Sequence, residues 1–341
     1  MTRNGVRSRV NDGSRPAPDD SPISRRGFLA SAVLLAAGCA EQPIVGVTIP
    51  TAPLPLTVEH TPPVLGINSH SLSHEDLQLL RSLHIQEVRS TIITTLWNAF
   101  PSYRNRIREN TLRAKSYGMR LVYVVHNAYG PPFRWPYTLS EARRFTETVA
   151  TMLEALPEVE AWQLWNEQNV WMQAPFGAGS TPPLPPEWIG WNYGEWWKEA
   201  YARLKDAHPH VLLVTGATAD DASASWQGFL EGFAETGAQA DAIAVHAYGT
   251  AESRLPILDR ARDLFVNSPV WVTECGAPPG PLWTAERQLD SWRSFVDRSG
   301  GRVQRVYPYC LQTDPHDPWY GMWNVDGTER PVLTWLRSRA V

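Results

Sequence analysis

From Val64 onward the hydrophobic pattern alternates between two periods. Short runs rich in β-branched and aromatic residues, such as LVYVVH (121–126), read as strands buried on both faces. Longer stretches between them carry apolar residues every three or four positions, as in HEDLQLLRSLH with Leu77, Leu80 and Leu83. In chain order the pattern predicts strands at 64–68, 85–90, 121–126, 159–167, 211–217, 242–248, 269–274 and 303–311. Helices are predicted at 74–84, about 102–118, 140–156, 192–208, 225–237, 253–267, 284–300 and 330–340. Gly118 suits a helix C-terminus, Ser140 an N-cap and Pro256 a first turn. Eight strand–helix units within residues 64–341 predict an α/β fold, a single (β/α)8 TIM barrel, which typically takes about 250 residues. An open doubly wound sheet competes, but the Gly-rich phosphate loop it often carries after its first strand is missing.

A barrel gathers the C-terminal ends of its strands at one mouth, where the chemistry of such folds sits. The residues at those ends are polar. Arg89 stands near the end of the second strand and His126 at the end of the third. Asn166 and Glu167 end the fourth, His246 and Tyr248 the sixth, and Glu274 the seventh. Singly, each has a structural reading: Arg89 caps a helix, His126 is a satisfied core histidine, each glutamate pairs with an arginine. Jointly they describe a site. Carboxylates on opposite walls of a barrel mouth can flank a glycosidic bond, and a retaining glycosidase holds them about 5–5.5 Å apart. One must carry a proton while the other stays ionised, so their environments must differ. Arg89 and the Tyr248 hydroxyl would favour a charged Glu274. Asn166 could donate to a sugar 2-hydroxyl.

The strand ends resemble those of clan A glycoside hydrolases, families 5 and 39 above all. The resemblance rests on WNEQN around Glu167, VTECG around Glu274, VHAYG at 245–249, Arg89 and His126, and it covers residues 64–341. It implies a cellulase-like barrel that hydrolyses a β-linked oligo- or polysaccharide with retention and without metal or organic cofactor. Glu167 would be the acid/base and Glu274 the nucleophile. One departure is visible. Strand eight in these families usually ends in a Trp that floors the sugar site, whereas here VYPYCLQTDP places Tyr309 and Cys310 there. Trp319 or Trp323 is the candidate replacement platform, and His70 after the first strand is a further candidate lining residue. The segment 170–191 is expected to be a long loop on the active face. Its Trp171, Trp188 and Trp191 either pack on the barrel or stack on the leaving sugar.

Composition narrows the partners. The chain has 341 residues and a net charge of -4, which gives no case for nucleic acid. Sixteen Trp offer apolar faces on which sugars can stack. At the N-terminus, SRRGFLASAVLLAAGC sets Arg25 and Arg26 before a short apolar run. It resembles a twin-arginine export signal, and LAAGC resembles a lipobox with Cys39 as the lipidated residue. Residues 1–39 are therefore expected to be the signal, 40–63 a Pro/Thr-rich tether and 64–341 the catalytic domain. These features predict an exported, periplasmic or cell-surface monomer, membrane-held through a lipid anchor. Cys275 and Cys310 are either buried small hydrophobes or a disulfide pair. Two other classes fit less well. A non-catalytic carbohydrate-binding barrel would not need both glutamates. A metal-dependent hydrolase built on His70, His126 and His246 would be expected to show closely spaced ligands such as His-x-His.

Overall fold

A computed structural model describes residues 62–127, 139–171, 185–219, 225–277, 283–313 and 318–340. The expected signal, Cys39 with it, and the tether up to residue 61 lie outside the described residues. The strands are β1 (Val64–Asn68), β2 (Glu87–Ile93), β3 (Arg120–His126), β4 (Ala161–Asn166), β5 (Leu212–Ala217), β6 (Ile243–Tyr248), β7 (Val270–Gly276) and β8 (Arg305–Pro308). They form one parallel sheet in the order β5-β4-β3-β2-β1-β8-β7-β6. Parallel bridges Val214–Ala242 and Thr218–Val245 join its two edges, so the sheet closes into the expected (β/α)8 barrel.

The helices are α1 (His74–Ser82), α2 (Thr94–Ala99), α3 (Pro101–Ser116), α4 (Leu139–Ala155), α5 (Gln168–Trp171), α6 (Pro186–Ala207), α7 (Ser225–Glu235), α8 (Leu255–Leu264), α9 (Ala285–Arg298) and α10 (Pro331–Arg339). Three sequence boundaries are corrected. β2 runs on to Ile93 because Ser90–Ile93 pair with Tyr123–His126, so Arg89 sits inside the strand, not at its end. β7 likewise continues past Glu274 to Gly276. The helix expected from 192 starts at Pro186, a residue preorganised for a first turn. Trp188 and Trp191 therefore lie on α6 rather than in a loop, exposed at 48% and 45%. The side chain of Trp171 lies outside the described residues.

Two apolar shells follow from strand alternation. The larger fills the space between strands and helices, with Trp162, Trp197, Trp292 and Phe229 among its buried side chains. The smaller fills the barrel interior, where Ala161, Ala217, Ala242 and Ala244 leave room for Trp271 and Tyr307. Below them Glu87, fully buried on β2, accepts a hydrogen bond from the Tyr307 hydroxyl (2.7 Å) and pairs with Arg120 (2.7 Å) and Arg305 (3.0 Å). Burial, then the Glu87 charge, push the Tyr307 phenol well up, so it serves as donor. Outside the barrel, α6 and α7 meet at glycines. A Cβ on Gly190 would lie 2.0 Å from the Phe229 carbonyl oxygen, and one on Gly232 1.9 Å from that of Glu187.

Candidate active site

The mouth is organised around Arg89. Its guanidinium is buried, and each contact fixes a neighbour. Nε donates to Gln163 Oε1 (2.8 Å), and Nη1 donates to Asn68 Oδ1 (2.6 Å) and Glu274 Oε1 (3.0 Å). Nη2 donates to Asn166 Oδ1 (2.9 Å), which orients that amide with Nδ2 as its donor. One cation thus ties β1, β2, β4 and β7 together. Sequence reading found Arg89, Asn166 and Glu274 but missed Asn68 and Gln163. Both carried a signal. Asn68 ends the apolar run VLGIN, and Gln163 is the polar residue inside AWQLWN.

Strict alternation would not build this site. Gln163 and Asn166 are three residues apart yet both reach Arg89, whereas a regular strand sends such a pair to opposite faces. The break lies at Trp165, whose φ of +85° is left-handed, and Glu167 follows at +50°. Such non-glycine conformations cost of order 1–3 kcal/mol each and persist only where surroundings hold them. Trp165 is held edge-on against Phe145 (5.4 Å) and His126 (6.3 Å), and the Glu167 amide donates to the Ala217 carbonyl (2.8 Å). On the opposite wall β7 does the same by a different device. Its register against β6 and β8 shifts between Val272 and Cys275, a bulge that turns Glu274 inward. The Asn68 amide holds that bulge, donating to the carbonyls of Thr273 (2.9 Å) and Tyr307 (2.7 Å).

The two glutamates now face each other. Glu274 is buried and also accepts the Tyr248 hydroxyl (2.7 Å), while the Glu167 side chain is 19% exposed. His246, fully buried on β6, stands between them, with Nδ1 2.9 Å from Glu167 Oε1 and Nε2 3.4 Å from Glu274 Oε1. One donor atom from each of the three residues lies within 4.8 Å of the others. Among the described residues this is the one His/Cys/Asp/Glu group with spacing for a metal ion. The trio His70, His126 and His246 does not assemble, because each ring has a different neighbour. His126 Nδ1 lies 2.5 Å from the Asn127 carbonyl oxygen, and His70 Nε2 2.9 Å from the Tyr309 hydroxyl. The Arg89 guanidinium at Glu274 already supplies the positive charge a cation would bring.

Tyr309 takes the place expected for a floor Trp. Its ring meets Tyr320 edge-on at 4.9 Å, and Tyr320 sits 5.8 Å from Tyr248. Trp319 packs on this cluster, whereas Trp323 packs against the main core. Of the two platform candidates, only Trp319 therefore joins the aromatic group at the mouth. Gln312 bonds the β1 loop to the β8 loop by accepting the His70 amide (3.0 Å) and donating to Ser69 (3.0 Å). Cys275 and Cys310 are both buried and are not joined in a disulfide. Burial, then the neighbouring Glu274 charge, push the Cys275 thiol well up, so it takes no part as a thiolate.

Residues 194–335 match the family described as glycosyl hydrolase catalytic core. No curated protein matches the chain. Among solved structures it is similar to an exo-beta-1,4-mannosidase from Opitutaceae bacterium strain TAV5, with TM-score 0.60 and 14% identity over 82% of this chain. It is also similar to a glucosidase from Croceicoccus marinus (TM-score 0.59, 14% identity, 81% of this chain). A third is a GH5_18 protein from Streptomyces cattleya in complex with GlcNAc (TM-score 0.61, 18% identity, 82% of this chain and 80% of that one). The chain spans 59% of the mannosidase and 66% of the glucosidase. The chain is therefore a (β/α)8 barrel whose residues 194–335 match the glycosyl hydrolase catalytic core family.

Proposed function

We propose that the protein is a retaining β-glycoside hydrolase acting on a β-linked oligo- or polysaccharide. The observation that carries this reading is the facing pair: one carboxylate oxygen of Glu167 and one of Glu274 lie within 4.8 Å of each other, a closeness that suits the ~5–5.5 Å carboxyl spacing of retaining enzymes better than the ~6.5–9.5 Å that inversion needs. The environments of the two acids differ in the sense the reaction requires. Glu274 takes two hydrogen bonds from Arg89 and Tyr248 and is the nucleophile. Glu167 faces the cleft and is the acid that protonates the leaving oxygen, then the base that activates water. Asn166 presents its amide N–H toward the sugar 2-hydroxyl, and the Tyr309 ring floors the glycone.

The test uses aryl β-glycosides. Glu274→Ala is expected to lower kcat by at least about 10³-fold, roughly 4 kcal/mol of barrel-mouth chemistry, with azide restoring turnover as a glycosyl azide. A wild type inert on a broad β-glycoside panel, or a Glu274→Ala variant of unchanged rate, refutes the assignment. The N-terminal reading belongs to the same proposal. The protein is exported and lipid-anchored through Cys39, so Cys39→Ser should move it from the membrane to the soluble fraction.

A further inference from the structure

We propose that the outer face of α3 is a docking surface for an anionic phospholipid membrane, against which the barrel lies on its side. The proposal is independent of the glycosidase reading. In a chain of net charge -4, α3 carries five cations, Arg104, Arg106, Arg108, Arg113 and Lys115, against the single acid Glu109. Five less one leaves a formal charge of +4 on this 16-residue helix. Arginines on other helices are matched, as in Arg143–Glu199 (2.7 Å), Arg260–Glu231 (2.6 Å) and Arg298–Asp290 (3.1 Å). Among the described residues none of the five on α3 pairs with a carboxylate. Two are tied to backbone: Arg104 donates to the Trp97 carbonyl (2.9 Å) and Arg113 to that of Leu72 (2.9 Å). Arg106, Arg108 and Lys115 are exposed.

Their placement around the helix is what fits a lipid surface. Ile107, Thr111 and Ala114 are buried and define the inward side. At about 3.6 residues per turn, Arg108 and Lys115 fall on one flank of the outward side and Arg106 and Arg113 on the other. Leu112 lies between the flanks and is 47% exposed, and Phe100, at the N-cap, is 53% exposed. Cationic flanks around an exposed apolar ridge suit a membrane interface. The long Arg and Lys stems carry their charges to lipid phosphates, while the apolar side chains enter the boundary of the acyl chains. A soluble polyanion would be served by the charges alone. The helix returns from the end of β2 to the start of β3, so it runs along the barrel wall from mouth to base. With this wall on the lipid, the mouth opens sideways along the membrane surface.

Vesicle flotation tests this. Both apolar cores and all eight strands lie within residues 62–340, so the barrel folds without the segment before it. It is tested alone, away from that segment's own arginines. The wild-type barrel should float with vesicles containing phosphatidylglycerol, release as salt rises, and ignore pure phosphatidylcholine. Each cation removed should lower the partition constant about 5-fold, so Arg106→Gln, Arg108→Gln and Lys115→Gln together should lower it about 100-fold. Leu112→Asn should lower it about 5-fold and leave the salt dependence unchanged. All four changes are on the surface, so each variant should keep the wild-type denaturant midpoint. A wild-type barrel that leaves anionic vesicles unbound, or a triple variant that binds like the wild type, overturns the proposal. A Leu112→Asn variant that binds vesicles as tightly as the wild type marks a general polyanion surface and overturns it too. Vesicle binding is read without sugar, so its failure removes this proposal and leaves the glycosidase reading standing.

Discussion

At the residue scale the site depends on side chains that never reach substrate. Asn68 joins Arg89 to the β7 bulge through its oxygen and its nitrogen at once. Replacing it with Ala leaves buried carbonyls and a guanidinium N–H short of partners, a deficit of about 1–3 kcal/mol. Asn68→Ala is expected to cut kcat by about 10- to 100-fold with little change in KM, because Glu274, the proposed nucleophile, shifts while the proposed sugar contacts remain. Steady-state kinetics on an aryl glycoside checks the split, and an equal rise in KM would point to a binding role instead. Arg89→Lys should fare worse, since a single ammonium cannot serve four acceptors held in a planar fork. The polar residues at strand ends were legible in the sequence because buried strands have no packing reason to finish in Arg, His, Glu and Tyr. Asn68 and Gln163 were harder to single out because their importance lies in what they hold.

At the element scale, hydrophobic period was enough to find every strand and to rank the fold. It failed at boundaries where tertiary pairing overrides local polarity, as where Ser90 and Thr91 continue β2 against β3. It also missed the short helix α2 and set the start of α6 six residues late. The helix layer makes its own prediction. Gly190→Ala puts a methyl group against the Phe229 carbonyl, so α6 and α7 must separate. A loss of about 1–3 kcal/mol is expected, read as a lower denaturant midpoint with activity at low temperature retained. At the base of the barrel, Glu87→Ala takes the buried carboxylate away from Arg305 and the Tyr307 hydroxyl, leaving Arg305 only the partly exposed Glu160 at 3.5 Å. Breaking a buried pair in this way costs about 3–5 kcal/mol, so thermal unfolding should begin well below that of the wild type while the mouth chemistry stays intact in the folded fraction.

At the scale of the whole molecule, closure of the sheet turns positions far apart in sequence into one electrostatic unit. Its pH dependence follows. The proposed double displacement needs Glu274 ionised and Glu167 protonated, so on that proposal kcat/KM should fall on the acid side as Glu274 gains a proton and on the alkaline side as Glu167 loses one. Glu167→Gln should remove the alkaline limb and spare dinitrophenyl substrates more than phenyl ones. The sequence by itself determined the barrel, since eight strand–helix periods admit few other folds, and it determined which residue types line the mouth, since polar strand ends stand out against apolar strands. What only the tertiary structure decided is how the two glutamates come to face each other. Alternation along β4 and β7 would have turned Asn166 and Glu274 away from the lumen. A left-handed Trp165 on one wall and a bulge at Thr273 on the other bring them back, and neither is written in a two-residue period. Both are backbone departures from regular structure, stabilised by packing from α4 and by the Asn68 amide, contacts that exist only once the barrel has closed.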